Sequence, residues 1–141
     1  MTIKDKMTTV FRAGSLMMLA ALFALLAVPT SAFAAQTLKT DITFPFRVGE
    51  KTLPAGHYEF RISYGEELVN VVNPSNGAGA VTTFLTYLAP TPHSTATDAH
   101  IVFDKVGNTY TLSELWIPGQ EGILVYATKG KHEHQIIHVK Q

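Results

Sequence analysis

Residues 57–64 read HYEFRISY, and their side chains alternate strictly between polar and apolar. Aromatic or aliphatic residues occupy the even positions, and the odd positions are polar or charged. A period of two predicts a β-strand with one face in a hydrophobic core and the other toward solvent. The preceding residues 53–56, LPAG, are a turn signal, because proline presets the backbone angle φ and glycine closes the turn without steric penalty. The sequence therefore predicts a turn followed by a half-buried strand, with Tyr58 and Tyr64 on the core side.

A similar alternation runs through residues 38–48, where the even positions are apolar apart from Thr40. Pro45 interrupts this pattern on the polar side. Because proline has no N–H to donate to a strand ladder, we predict that this strand lies at a sheet edge or carries a bulge at Pro45.

The rest of the chain is built from further short apolar or β-branched runs, which cover residues 68–72, 81–88, 100–106, 109–117, 123–127 and 135–140. Clusters of glycine, proline and asparagine separate these runs, and the polar stretch 90–98 is typical of an exposed loop. No long helical period occurs after residue 34. The pattern predicts an all-β fold of seven or eight strands over residues 35–141. Its architecture would be a single-domain antiparallel β-sandwich or a small partly open barrel.

The first 34 residues have the parts of a secretory signal peptide. Three basic residues precede the uninterrupted apolar run 16–28, and the small residues Ala32 and Ala34 suit a cleavage site. A retained membrane anchor and a buried core helix are the alternatives, but the run has 13 residues, whereas a spanning helix needs about 20. We predict cleavage after Ala34 and export of residues 35–141 to the periplasm or the cell exterior.

The composition excludes several classes of function. The chain has no cysteine, which excludes disulfides, thiolate catalysis, CxxC redox pairs and cysteine zinc sites. Residues 35–141 hold 8 basic and 10 acidic side chains, a net charge of −2 with neutral histidine. This balance does not favour nucleic acid or an anionic membrane as a partner. An unidentified protein or small molecule remains as the expected partner.

Residues 44–58, FPFRVGEKTLPAGHY, resemble a segment of a group of small exported bacterial proteins, which has the form PF-x-V-G-x-K-x-LPAG-x-Y. Residues 112–116, LSELW, resemble a second stretch of the same group. The resemblance implies an exported, small and largely β protein without an assigned activity, and it identifies no functional residue.

Three histidines close to the C-terminus are the candidate metal ligands. His132, His134 and His138 would share one face of an extended strand, with Glu133 on the other. His132 and His134 would lie about 7 Å apart at Cα, a span that one Zn²⁺ or Cu²⁺ can bridge, whereas His138 is too far along the strand. A third ligand would come from a neighbouring strand, and the candidates are His57, Glu59, His100 and Asp104. Alternatively, the cluster is polar surface or a pH-responsive group.

Other candidate chemistry is less well defined. Trp116, beside Pro118, is the best candidate for an exposed ligand platform, and tyrosine side chains could extend that platform. The chain has no GxSxG elbow and no glycine-rich phosphate loop that opens a helix. We therefore expect a non-enzymatic binding or interaction protein. The alternatives are an extracytoplasmic metal-binding protein and a hydrolase without a recognisable motif.

Overall fold

The computed structural model describes residues 35–89 and 98–140, and within these ranges it contains eleven β-strands and no helix. This confirms the all-β prediction. The predicted signal peptide, residues 1–34, and most of the predicted loop 90–98 lie outside the described residues. The strands are β1 (Gln36–Ile42), β2 (Phe46–Val48), β3 (Lys51–Leu53), β4 (Gly56–Ser63), β5 (Leu68–Val72), β6 (Gly79–Thr83), β7 (Thr86–Leu88), β8 (Ala99–Val106), β9 (Thr109–Trp116), β10 (Gly122–Leu124) and β11 (Glu133–Val139).

The strands form two sheets that do not close into a barrel. The four-stranded sheet has the antiparallel order β1-β4-β5-β6. The seven-stranded sheet has the order β11-β8-β9-β10-β7. Its other two strands are β2, which pairs with β9, and β3, which pairs with β2. It is mixed, because β2 runs parallel to β9 with Arg47 opposite Thr111.

Two predicted strands are each divided between the two sheets. The prediction of one continuous strand over residues 38–48 is wrong, because the chain leaves the four-stranded sheet after Ile42 and enters the seven-stranded sheet at Phe46. Pro45 lies at this crossing, where its missing N–H costs no ladder hydrogen bond. Residues 81–88 likewise divide into β6 and β7, one in each sheet. These crossings are the main reason that the strand count exceeds the predicted seven or eight.

The core lies between the two sheets, and aromatic side chains join them. Phe46 of the seven-stranded sheet lies 5.0 Å from the Tyr58 ring and 6.3 Å from the Phe60 ring of the four-stranded sheet, measured between ring centroids. It also meets Phe103 of its own sheet at 5.3 Å. Tyr58 is fully buried, as its position in the alternation predicts, and Tyr64 packs half-buried against the core.

The register of β8 and β11 determines which polar side chains lie opposite one another on these two strands. The two strands are antiparallel, with His134 opposite Asp104 and His138 opposite His100. The segment that leads into β11 is held on β9, because the Ser113 hydroxyl donates to the carbonyl of Tyr126 at 2.9 Å. Ser113 lies at the irregularity in the β8–β9 register, which resembles a β-bulge. The residue at this irregularity therefore makes the contact that holds the segment before β11.

Candidate metal centre

Three side chains converge at one end of β8 and β11. Asp104, His132 and His134 each offer one ligand atom, and these atoms all lie within 4.8 Å of one another. Asp104 is on β8, His134 faces it from β11, and His132 precedes β11 by one residue. The structure thus brings together two of the three predicted histidines and one of the four candidate third ligands.

Cross-strand pairing accounts for the approach of Asp104 and His134. Residues directly opposite on antiparallel strands project from the same face, with Cβ atoms about 5 Å apart. The Asp104 Oδ1 and His134 Nδ1 atoms lie 3.4 Å apart. The contact does not have the geometry of a hydrogen bond.

His132 is oriented by its own loop. Gly130 has a φ of +84°, a left-handed conformation that favours glycine, and it bends the chain just before β11. The His132 Nδ1 lies 2.9 Å from the Gly130 carbonyl oxygen, and since a carbonyl only accepts, this nitrogen carries the proton. The lone pair is therefore on Nε2, which lies 3.9 Å from Asp104 Oδ1. A carbonyl partner of this kind is the usual way in which a protein sets the tautomer of a metal-binding histidine.

The carboxylate of Asp104 is buried without a sufficient partner. Its side chain is 2% exposed, compared with 23% for His132 and 49% for His134. Within the described part of the chain, Asp104 Oδ1 has no hydrogen-bond partner. A buried charged oxygen without a partner is costly, and a cation or a proton removes that cost.

The spacing suits a metal ion. Two ligand atoms about 2.0 Å from a tetrahedral Zn²⁺ lie about 3.3 Å from each other. The 3.4 Å between Asp104 Oδ1 and His134 Nδ1 matches this value. The 3.9 Å to His132 Nε2, and the limit of 4.8 Å within which all three ligand atoms lie, require the histidine rings to move inward when a metal binds. Two imidazoles and one carboxylate would leave one tetrahedral position for an exchangeable ligand.

The structure places His138 apart from this group. It lies opposite His100, and its Nδ1 is 2.8 Å from Asp98 Oδ2. His134 and His138 share one face of β11, as predicted, whereas His132 lies before the strand. Ile136 lies between His134 and His138 on that face. The bend needed to bring His138 to the other ligands does not occur in β11.

The other three candidate third ligands make contacts elsewhere. His57 pairs with Asp41 at 2.8 Å, and the His100 ring stacks on Trp116 with centroids 5.8 Å apart. Glu59 binds Arg61 at 2.6 Å and Lys39 at 3.2 Å. The hydrogen bonds from Arg61 and Lys39 lower the pKa of Glu59 from its ordinary value.

The prediction of Trp116 as an exposed platform is wrong. Its side chain is 6% exposed, and its indole N–H donates to Glu114 Oε2 at 2.7 Å. The ring covers Gly122 of β10, where a Cβ atom would lie 2.5 Å from Trp116 Cε3. Trp116 is therefore packed over the neighbouring strand, and a glycine makes room for it.

One sequence signal pointed to Asp104. It is a charged residue that directly follows the apolar residues 101–103 of β8, in a part of the strand that is expected to be buried. The signal identifies a buried acid but not its neighbours, since the pairing of β8 with β11 joins residues about thirty positions apart.

Comparison with protein-family models, with curated protein sequences and with solved structures gives no match for this chain. In the ranges 35–89 and 98–140, no helix is long and apolar enough to cross a membrane. The case for function therefore depends on the geometry of the site.

Proposed function

We propose that this protein binds one divalent transition-metal ion, Zn²⁺ or Cu²⁺, through Asp104, His132 and His134. The observation that carries the proposal is the buried Asp104 Oδ1, which has no hydrogen-bond partner in the described part of the chain and faces two imidazole nitrogens at 3.4 and 3.9 Å. A divalent ion at the centre of the three groups would satisfy all of them at once.

The ligand set favours these metals over others. Imidazole nitrogen suits Zn²⁺, Cu²⁺ and Ni²⁺, and a single carboxylate completes such sites, whereas Mg²⁺ and Ca²⁺ prefer oxygen ligands throughout. The chain has no cysteine, so thiolate ligands play no part. On the general affinity order Cu²⁺ would bind more tightly than Zn²⁺ at the same site.

We further propose that the site works outside the cytoplasm, on a β-domain released from residues 1–34. The basic start, the apolar run 16–28 and the Ala32 and Ala34 pair support this, as does the resemblance of residues 44–58 to small exported proteins. Expression of the full chain in a Gram-negative host, with mass spectrometry of the periplasmic fraction, should give a protein that starts at Ala35. A cytoplasmic protein that retains residues 1–34 would contradict export.

Metal binding is tested by calorimetric titration of the chelator-treated protein with Zn²⁺ and with Cu²⁺. We expect one ion per chain, and we expect Asp104→Asn and His134→Ala each to weaken binding by about tenfold or more, because each removes a ligand. An ion present at a hundred times its Kd should add about 2.7 kcal/mol to the free energy of unfolding.

Two other histidine–aspartate pairs provide matched controls. His57 with Asp41 and His138 with Asp98 are both closer, at 2.8 Å, but among the described residues neither belongs to a three-ligand cluster. His57→Ala and His138→Ala should leave the affinity within about twofold. If no ion binds, or if these controls weaken binding as much as Asp104→Asn does, the proposal is wrong and binding reflects surface histidines in general.

A further inference from the structure

A row of polar side chains extends from the metal centre across the outer face of the seven-stranded sheet. We infer that the bound ion takes a small oxyanion, a phosphate or a carboxylate, as its exchangeable fourth ligand, and that Arg47 holds this anion. The inference rests on the proposed metal site and adds the class of ligand to it.

Strand register defines the row. Asp104 of β8 is opposite Thr111 of β9, and Thr111 is opposite Arg47 of β2. The neighbours of Arg47 on β2, Phe46 and Val48, are buried in the core. Side chains alternate across a strand, so Arg47 projects from the outer face.

The same alternation places Thr111 and Asp104 on that outer face. Leu112, which follows Thr111, and Phe103, which precedes Asp104, are fully buried in the core between the sheets. With strands about 4.8 Å apart, the Cα atoms of Arg47 and Asp104 are separated by about 10 Å. Thr111 lies between Arg47 and Asp104 in this row, and its hydroxyl can donate to an oxyanion.

Charge favours an anion at the open position. Two neutral imidazoles and one carboxylate leave a net charge of +1 on a divalent ion, so an anionic fourth ligand would neutralise the centre. Arg47 is half-buried, and among the described residues no ion pair engages it. A guanidinium is planar and binds carboxylate or phosphate through two parallel hydrogen bonds.

A cleft beside the row offers room for the rest of such a ligand. It has a volume of about 320 Å³, and its lining includes Arg47, Thr109 and Tyr110. The single acidic residue of the lining is Glu50, which is exposed.

The test uses the full protein loaded with Co²⁺, whose visible absorption reports changes in its ligands. Inorganic phosphate and acetate are titrated in separate experiments to distinguish the two anions. We expect at least one of them to change the spectrum in a saturable manner. Arg47→Gln should weaken that response about tenfold and leave the Co²⁺ affinity within about twofold, because Arg47 contacts the anion and not the ion.

Arg61→Gln is the matched control, since Arg61 is on the other sheet and bound to Glu59. It should leave the anion response unchanged. If Co²⁺ binds but neither anion alters the spectrum, or if Arg47→Gln responds like the unmodified protein, the anion inference is wrong and the metal site stands. If Co²⁺ does not bind at all, the proposed function fails with it.

Discussion

Asp104 and His134 face each other across β8 and β11, and their Oδ1 and Nδ1 atoms lie 3.4 Å apart without forming a hydrogen bond. The contact does not compensate for the burial of the Asp104 carboxylate, whose side chain is 2% exposed. A hydrogen bond of good geometry does form elsewhere, between His138 of β11 and Asp98, the residue before β8, at 2.8 Å. The proposed metal site would explain the arrangement at Asp104.

This explanation predicts that Asp104 lowers the stability of the metal-free protein. In the presence of a chelator, Asp104→Asn should raise the free energy of unfolding by about 1–3 kcal/mol, because it removes a buried charge that lacks a partner. Denaturant unfolding monitored by circular dichroism measures this change. Asp98→Asn is the control, and as an exposed substitution it should change the value by about 0.5 kcal/mol or less. A destabilised Asp104→Asn would contradict this explanation.

The packing of Trp116 over β10 predicts a strong effect at Gly122. Gly122→Ala would place a Cβ atom 2.5 Å from Trp116 Cε3, so the ring or the strand must move. We expect a loss of about 1–3 kcal/mol, the usual range for overpacking. Thermal unfolding followed by tryptophan fluorescence reports both stability and the environment of the ring. Gly65→Ala, where a Cβ would meet nothing within 4 Å, should be close to neutral.

The position of Phe46 between the sheets predicts that it contributes more to stability than an average core residue. Phe46→Ala should cost about 3–5 kcal/mol, since it creates a cavity among aromatic rings of both sheets. Chemical denaturation gives the free energy of unfolding. Val106→Ala removes a side chain that is 51% exposed and should cost much less. Equal losses at the two positions would argue against a core shared by the two sheets.

The ion pairs of Glu59 predict an acid-dependent contribution to stability. Hydrogen bonds from Arg61 and Lys39 hold the pKa of Glu59 below its ordinary 4.5 in the folded state. As the pH falls below 4.5, Glu59 is protonated in the unfolded chain before it is protonated in the folded protein. The stabilisation that is present above pH 4.5 therefore decreases as the pH falls toward the lower pKa of the folded state. Unfolding measured from pH 6 to pH 3 should therefore show a flatter profile for Glu59→Gln than for the unmodified protein. Glu66→Gln, a turn substitution, should retain the original slope.

Local alternation was sufficient to predict much of the fold. The segment 57–64 forms β4 almost as expected, and Tyr58, Phe60 and Ile62 are fully buried on one face. A period of two depends on the residues of one strand alone, so it can be read without knowledge of the neighbours. The shared face of His134 and His138 was predicted for the same reason.

The tertiary structure decided everything that depends on which strands are adjacent. Sequence patterns located β8 and β11 but did not pair them, so Asp104 was one of four possible third ligands until the register placed it opposite His134. The burial of Trp116 likewise depends on Gly122 in the next strand. Pairing between distant segments is set by how whole faces pack together. A strand pattern therefore specifies which way a side chain points, and only the assembled sheet specifies what it meets there.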